Sequence, residues 1–181
     1  MKLIRVIVLL AVLIGLLATS LPVYAQSTVD GDIGNTFGLY GVNQRNSFYA
    51  NGRYWVFYSD SAGPNTLCCR SSTDSITWSA ETTVSSVNNN YSDNEASVWF
   101  DGTYGHYARS EGGAIVYRRF LPNADGTLTY SATKQTAVAA VGGCYPLRPF
   151  VSVDTNGYPW IAYFLYTCED NSYVTKANTT D

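Results

Sequence analysis

RNSFYANGRYWVFYSDSAGPNTLCCRSSTDSITWS, residues 45–79, decides the fold. Asn51-Gly52 is a dipeptide suited to a two-residue hairpin, because both positions accept positive φ. Aromatic and β-branched residues flank it, NSFYA at 46–50 and RYWVFY at 53–58, which favours two strands. A Gly-Pro loop follows, then a third strand, then a polar turn centred on Asp74 and closed by Trp78.

The same order recurs twice. Gly52, Gly102 and Gly157 are spaced by about 50 residues, and Asn51, Asp101 and Asn156 precede them. ASVWF at 96–100 and TYGHYA at 103–108 repeat the first hairpin, as do PFVSV at 149–153 and YPWIAY at 158–163. Asp74, Asp125 and Asp181 each fall about 23 residues after their glycine. The first two lead into further strand-like runs, SAETTVSS at 79–86 and SATKQTAVAA at 131–140. Each unit therefore holds four strands, the pattern of propeller blades. Tyr54, Val56 and Tyr58 alternate with Trp55 and Phe57, so both faces of the second strand are apolar, as a sheet between two others requires. A β-sandwich of hairpins is the alternative, although it needs no repeated Asp turn.

The expected architecture is all-β, with four-stranded antiparallel blades over 45–87, 93–140 and 146–181. The last breaks off at the turn of Asp181, which points to a fragment of a longer, six-bladed parent. Residues 26–44, rich in Gly, Asp, Asn and Thr, form a lead-in with one short strand expected near 36–40. Residues 1–25 read as a signal peptide: Lys2 and Arg5, an apolar run over 6–18, and Val23-Tyr24-Ala25 as the cleavage pattern. An uncleaved anchor is the other reading of that segment. The expected location is secreted or extracytoplasmic.

Cleavage would move the net charge from −3 to about −5. With no basic block, that balance argues against nucleic acid as a partner. No second apolar span follows the leader, so no membrane partner is expected after cleavage. Four cysteines in an exported chain point to disulfides. Cys144 and Cys168 flank Asn156 symmetrically, and a hairpin there would set them opposite one another. Adjacent Cys68 and Cys69 would make a strained bridge. Zinc-type spacing is absent and His106 is the single histidine, so neither metal nor cofactor is expected.

Ser72-Thr73-Asp74-Ser75-Ile76-Thr77-Trp78 resembles the Asp-box, S-x-D-x-G-x-T-W, of the sialidase (neuraminidase) superfamily, one residue short and without the glycine. Asp125-Gly126-Thr127-Leu128-Thr129-Tyr130 is similar to a second copy, and Asn178-Thr179-Thr180-Asp181 to the start of a third. The resemblance implies a structural role for Asp74, Trp78, Asp125 and Tyr130, with the carboxylate accepting amide hydrogens across the turn.

The resemblance also implies a glycoside hydrolase acting on anionic sugars, with arginines holding the substrate carboxylate. Arg45-Asn46-Ser47 occupies the place of the family's Arg-Ile-Pro, without the proline. Glu95 and, with a two-residue longer turn, Arg148 are its equivalents in the later units. Three inner strands beginning around one opening would bring Arg45, Glu95 and Arg148 together to bind a carbohydrate, such as a sialylated glycan. Guanidinium grips carboxylate bidentately, and a glutamate between two arginines orients them. The family's general acid lies in the loop after the first hairpin. Here that loop is Ser59-Asp60-Ser61-Ala62-Gly63-Pro64-Asn65, which contains no arginine, and Asp60 is the acid candidate. The family's tyrosine and glutamate belong to later blades, which would be the remaining partners from the same parent chain. A non-catalytic secreted propeller that binds glycans or proteins is the rival reading. Asn90-Tyr91-Ser92 and Asn178-Thr179-Thr180 fit the glycosylation acceptor pattern.

Overall fold

The computed structural model describes residues 27–29, 45–60, 66–86, 95–140, 142–168 and 171–180, except the side chain of Asp60. The leader, the strand expected near 36–40, Asn90-Tyr91-Ser92 and Asp181 lie outside the described residues. The protein is all-β and built from propeller-type antiparallel sheets. The first sheet runs β1 (Ser47–Ala50), β2 (Arg53–Asp60), β3 (Thr66–Ser72) and β4 (Thr82–Ser86) in chain order. The second runs β5 (Ala96–Phe100), β6 (Gly105–Glu111), β7 (Ala114–Pro122) and β8 (Leu128–Tyr130). There β9 (Gln135–Val138) continues the outer edge against β7. The third is β10 (Tyr145–Val153), β11 (Pro159–Tyr166) and β12 (Ser172–Lys176).

Alternation along the strands fixes how these sheets stack. Val98, Tyr107, Val116 and Phe120 of the second sheet meet Trp55, Phe57, Leu67 and Cys69 of the first. Their sequence neighbours Trp99, Ala108, Ile115 and Tyr117 turn the other way and meet Val151 and Ile161 of the third. Successive strand residues face opposite sides, so the middle sheet is buried on both. This two-sided burial is that of a blade between two others, but it belongs to the middle sheet; in β2, whose two apolar faces raised the expectation, Trp55 and Phe57 are buried whereas Tyr54 is 43% exposed.

The hairpins are less uniform than the repeated glycines imply. Asn51 (φ 53°) and Gly52 (φ 77°) make the expected two-residue turn. The turns at 101–104 and 154–158 are longer, and neither Asp101 nor Asn156 has positive φ. An aspartate opens each of them. Asp101 Oδ1 accepts the amides of Thr103 and Tyr104, both at 2.7 Å. Asp154 Oδ1 accepts those of Asn156 at 2.9 Å and Tyr158 at 3.0 Å. With the side chain supplying the acceptor, the backbone needs no left-handed pair, and β6 starts at Gly105, two residues later than the expected strand.

Cys144 and Cys168 form a disulfide, with Cα atoms 5.5 Å apart, beside the pairing of Tyr145 with Tyr166. Cys68 and Cys69 are buried, and neither is in a disulfide. Neighbours in one strand, they point to opposite faces of the sheet. Burial, and secondarily the charge of Glu81, pushes the Cys69 thiol up to about 12.

Candidate functional site

Inner strands β1, β5 and β10 lie side by side. Val98 N–H donates to the Arg45 carbonyl at 2.7 Å, and Val151 N–H donates to Ser97 Oγ at 2.7 Å. The two contacts set different registers. Arg148 comes level with Glu95, whereas Arg45 comes level with Val98, three residues further along β5.

Glu95 is 2% exposed. Its backbone carbonyl accepts Ser110 N–H at 3.0 Å, which locks its place just ahead of β5. The carboxylate accepts the Arg148 amide at 2.5 Å through Oε2 and Arg148 Nε at 3.4 Å through Oε1. A buried carboxylate needs such donors to offset lost hydration. Arg148 sits at φ 55° within a bulge between Leu147 and Phe150. Left-handed backbone at a non-glycine residue is uncommon, and here it aims the amide at Glu95. The side chain of Arg148 is 61% exposed, with its guanidinium 5.9 Å from the Phe164 ring. Arg45 places its guanidinium 4.1 Å from the centre of the Trp99 ring. The structure thus joins Glu95 to Arg148 directly and anchors Arg45 at Trp99.

Asp60 ends β2, where its backbone pairs with Thr66, and its side chain lies outside the described residues. The Asp-box residues occupy the other end of the sheet, since the turn leaves β3 at Ser72, opposite Tyr54 beside the first hairpin. Asp74 Oδ1 accepts the amides of Thr77 at 2.7 Å and Ile76 at 2.8 Å, and the Ser72 hydroxyl at 2.9 Å. These bonds, the Thr77 amide foremost, hold its carboxyl at about 2. Trp78 Nε1 donates to Ser27 Oγ at 3.0 Å, tying the lead-in to the turn. Asp125 Oδ1 accepts Thr127 Oγ1 at 2.7 Å and Thr127 N–H at 2.9 Å. Tyr130 packs its ring under the Arg118 guanidinium, 4.7 Å away, and burial pushes its hydroxyl far above the usual range. The turn of the second sheet also docks on the first: Arg53 Nε donates to Ala124 O at 2.7 Å, and Asn51 Nδ2 to Pro122 O at 2.5 Å.

A buried network that sequence reasoning missed runs through the middle sheet. His106, 1% exposed, contacts Asp101 Oδ2 through Nε2 at 2.9 Å and the Tyr117 hydroxyl through Nδ1 at 2.7 Å. The alternation of β6 was legible, but His106 reaches Asp101 only because that residue opens the turn. Burial first, then the nearby Arg119 charge, lowers the His106 pKa, against the pull of Asp101. The unfolded chain therefore binds the proton more readily below an ordinary histidine pKa of about 6.5. Stability is expected to fall as pH drops from about 6.5 through the lower folded value. Thermal melts between pH 7 and pH 5 check this. His106→Gln should flatten the decline, and an unchanged slope would remove His106 as its source.

Among the described residues, no group of three or more His, Cys, Asp or Glu could hold a metal ion. No helix of the described residues is long and apolar enough to cross a membrane.

No family model matches the sequence, and no curated protein matches it. Among solved structures, the chain is similar to the endo-arabinase from Bacteroides thetaiotaomicron VPI-5482. The identity is 16%, the TM-score 0.44, and the match covers 82% of this chain and 58% of that one. This chain thus spans less than two thirds of that protein, and the likeness is too loose to assign an activity.

Proposed function

We propose that this chain is the exported, sialidase-like part of a carbohydrate-active propeller, with a carboxylate-bearing sugar bound where the inner strands begin. The observation that carries the reading is Arg148, exposed at the head and anchored at the base by buried Glu95. Such anchoring pre-orients a guanidinium for a bidentate anion. Arg45, with its guanidinium over the Trp99 ring, supplies a second cation beside the inner strands.

In this reading residues 1–25 direct export and are removed. Further blades of one parent chain cover the outer face of the third sheet, where Trp160, Phe164 and Val174 lie on one side. The hydrolytic form of the protein protonates the glycosidic oxygen, with Asp60 as the candidate acid and the remaining groups on those blades. A non-catalytic glycan-binding module is the second reading. It is favoured by the loop after the first hairpin, residues 59–65, which contains no arginine and a single carboxyl residue, Asp60.

In the full-length protein, Arg45→Ala is expected to lower affinity for a sialoside at least about tenfold, since a charge-assisted bidentate contact is lost. Isothermal titration, with circular dichroism to establish an unchanged fold, measures the effect. Equal affinity in the folded variant would remove the carboxylate-binding role.

A further inference from the structure

The first sheet has a face that turns away from the second. Ser47 pairs with Val56 and Tyr49 with Tyr54, so these four share one side, while their strand neighbours Phe48, Trp55 and Phe57 pack toward the second sheet. Tyr49 is 58% exposed and Tyr54 43%. Their rings meet edge to face, with centres 4.9 Å apart.

The lead-in is pinned at this face. Ser27 Oγ donates to the Ser75 carbonyl at 2.5 Å and accepts Trp78 Nε1 at 3.0 Å. Residues 27–29, with Ser75 and Trp78 of the turn, line a groove of about 820 Å³ that also takes in Ser47, Tyr54 and Val56. Small-molecule sites typically hold about 300–1,000 Å³.

The lining combines two chemistries and lacks a third. Tyr54 and Trp78 supply aromatic surface, and the bond to Ser27 holds the Trp78 ring in place. Ser27, Thr28, Ser47 and Ser75 supply hydroxyl groups, of which Thr28 and Ser47 belong to exposed residues. No charged residue lines the groove. A sugar ring matches this pair of chemistries. Its C–H face packs on an aromatic ring, and its hydroxyls donate to and accept from serine and threonine. An acidic ligand would find no cation here. A peptide strand would need a free backbone edge, whereas strand faces present side chains. A neighbouring sheet packs at about 10 Å, and the pinned lead-in stands in that space.

We infer that this groove is a second saccharide site, which takes a neutral oligosaccharide with Tyr54 as its stacking platform. It is separate from the carboxylate site, because Arg45 reaches the other way, over Trp99 of the second sheet.

The full-length protein is titrated by isothermal calorimetry with cellotriose, xylotriose, mannotriose and maltotriose, and with sialyllactose as the acidic ligand. One neutral trimer is expected to bind with a Kd of about 1 mM or tighter, and that trimer identifies the sugar. Tyr54→Ala should weaken it at least about tenfold, Tyr54→Phe should retain it, and sialyllactose affinity should stay unchanged in both. Iodination mapped by mass spectrometry should label Tyr54 in the free protein and spare it when the trimer is bound. Failure of every neutral trimer to bind overturns the inference. So does a bound trimer that leaves both Tyr54 labelling and Tyr54→Ala affinity unaltered. Resistance of Tyr54 to iodination without sugar would show a neighbouring sheet on this face and overturn it as well. Loss of sialyllactose binding alone removes the carboxylate reading and leaves this site standing. Labelling uses the unaltered protein, so it decides even where a variant fails to fold.

Discussion

Phe120→Ala is expected to cost about 3–5 kcal/mol of stability, a large share of what a single domain has. Phe120 is 1% exposed and sits where the first two sheets meet. Its ring centre lies 5.5 Å from that of Phe57, 6.2 Å from Tyr130 and 6.3 Å from Phe48. The strand partner of Phe120 is Gly105. A Cβ on that glycine would fall inside the Phe120 ring, so the ring occupies the space a side chain would fill. Truncation at 120 therefore opens a cavity against a bare backbone as well as against aromatic neighbours, and neither can collapse into it readily. Urea unfolding measures the loss as a lower midpoint at unchanged slope. A loss under about 1 kcal/mol would mean that the two sheets do not share one core.

The sequence made the scaffold readable because strand periodicity is local. Tyr54, Val56 and Tyr58 against Trp55 and Phe57 announce a two-faced sheet without any knowledge of what covers it. Cys144 and Cys168 were readable for a similar reason, as positions symmetric about a turn. What failed was information that crosses sheets. Arg45, Glu95 and Arg148 align by distance from their turn glycines, yet β1 stands three residues out of step with β5. That register is set by contacts such as Phe48 on Phe100, which no single strand encodes. The two extra residues between Arg148 and its turn glycine suggest a longer turn, but the irregularity is a bulge between Leu147 and Phe150. The aspartates that open the second and third hairpins were half visible. Asp101 stands directly before its turn glycine, whereas Asp154 lies three residues before Gly157, outside the Asn-Gly pair that marks the turn. Asp154 accepts two amides and Trp160 Nε1, the last at 3.1 Å, and lies 3.4 Å from Lys176. The Trp160 contact foremost holds its carboxyl at about 2.

Glu95→Ala is expected to strike stability and binding together, which separates an anchor from a spectator. Removing the carboxylate leaves the Arg148 amide without its 2.5 Å acceptor and frees Arg148 Nε. Losing one partner of a buried ion pair typically costs about 3–5 kcal/mol. Here the Arg148 head is 61% exposed, so water recovers part of its charge and the loss should be about 2–3 kcal/mol. Glu95→Gln keeps an oxygen for the Arg148 amide while losing the charge, so it should cost about 1 kcal/mol. The two variants then divide the role of Glu95. If its task is to hold the backbone bulge, glutamine restores both stability and affinity for the acidic ligand. If its task is to orient the guanidinium, glutamine restores stability but leaves affinity reduced. Urea melts and ligand titrations on the two proteins measure this split. The geometry favours the first outcome: the Arg148 amide lies 2.5 Å from the carboxylate and its Nε 3.4 Å, and a left-handed residue at φ 55° needs such a partner to hold it. A Glu95→Ala protein with unchanged midpoint and unchanged affinity would show that the pair supports neither fold nor ligand and take Arg148 out of the site.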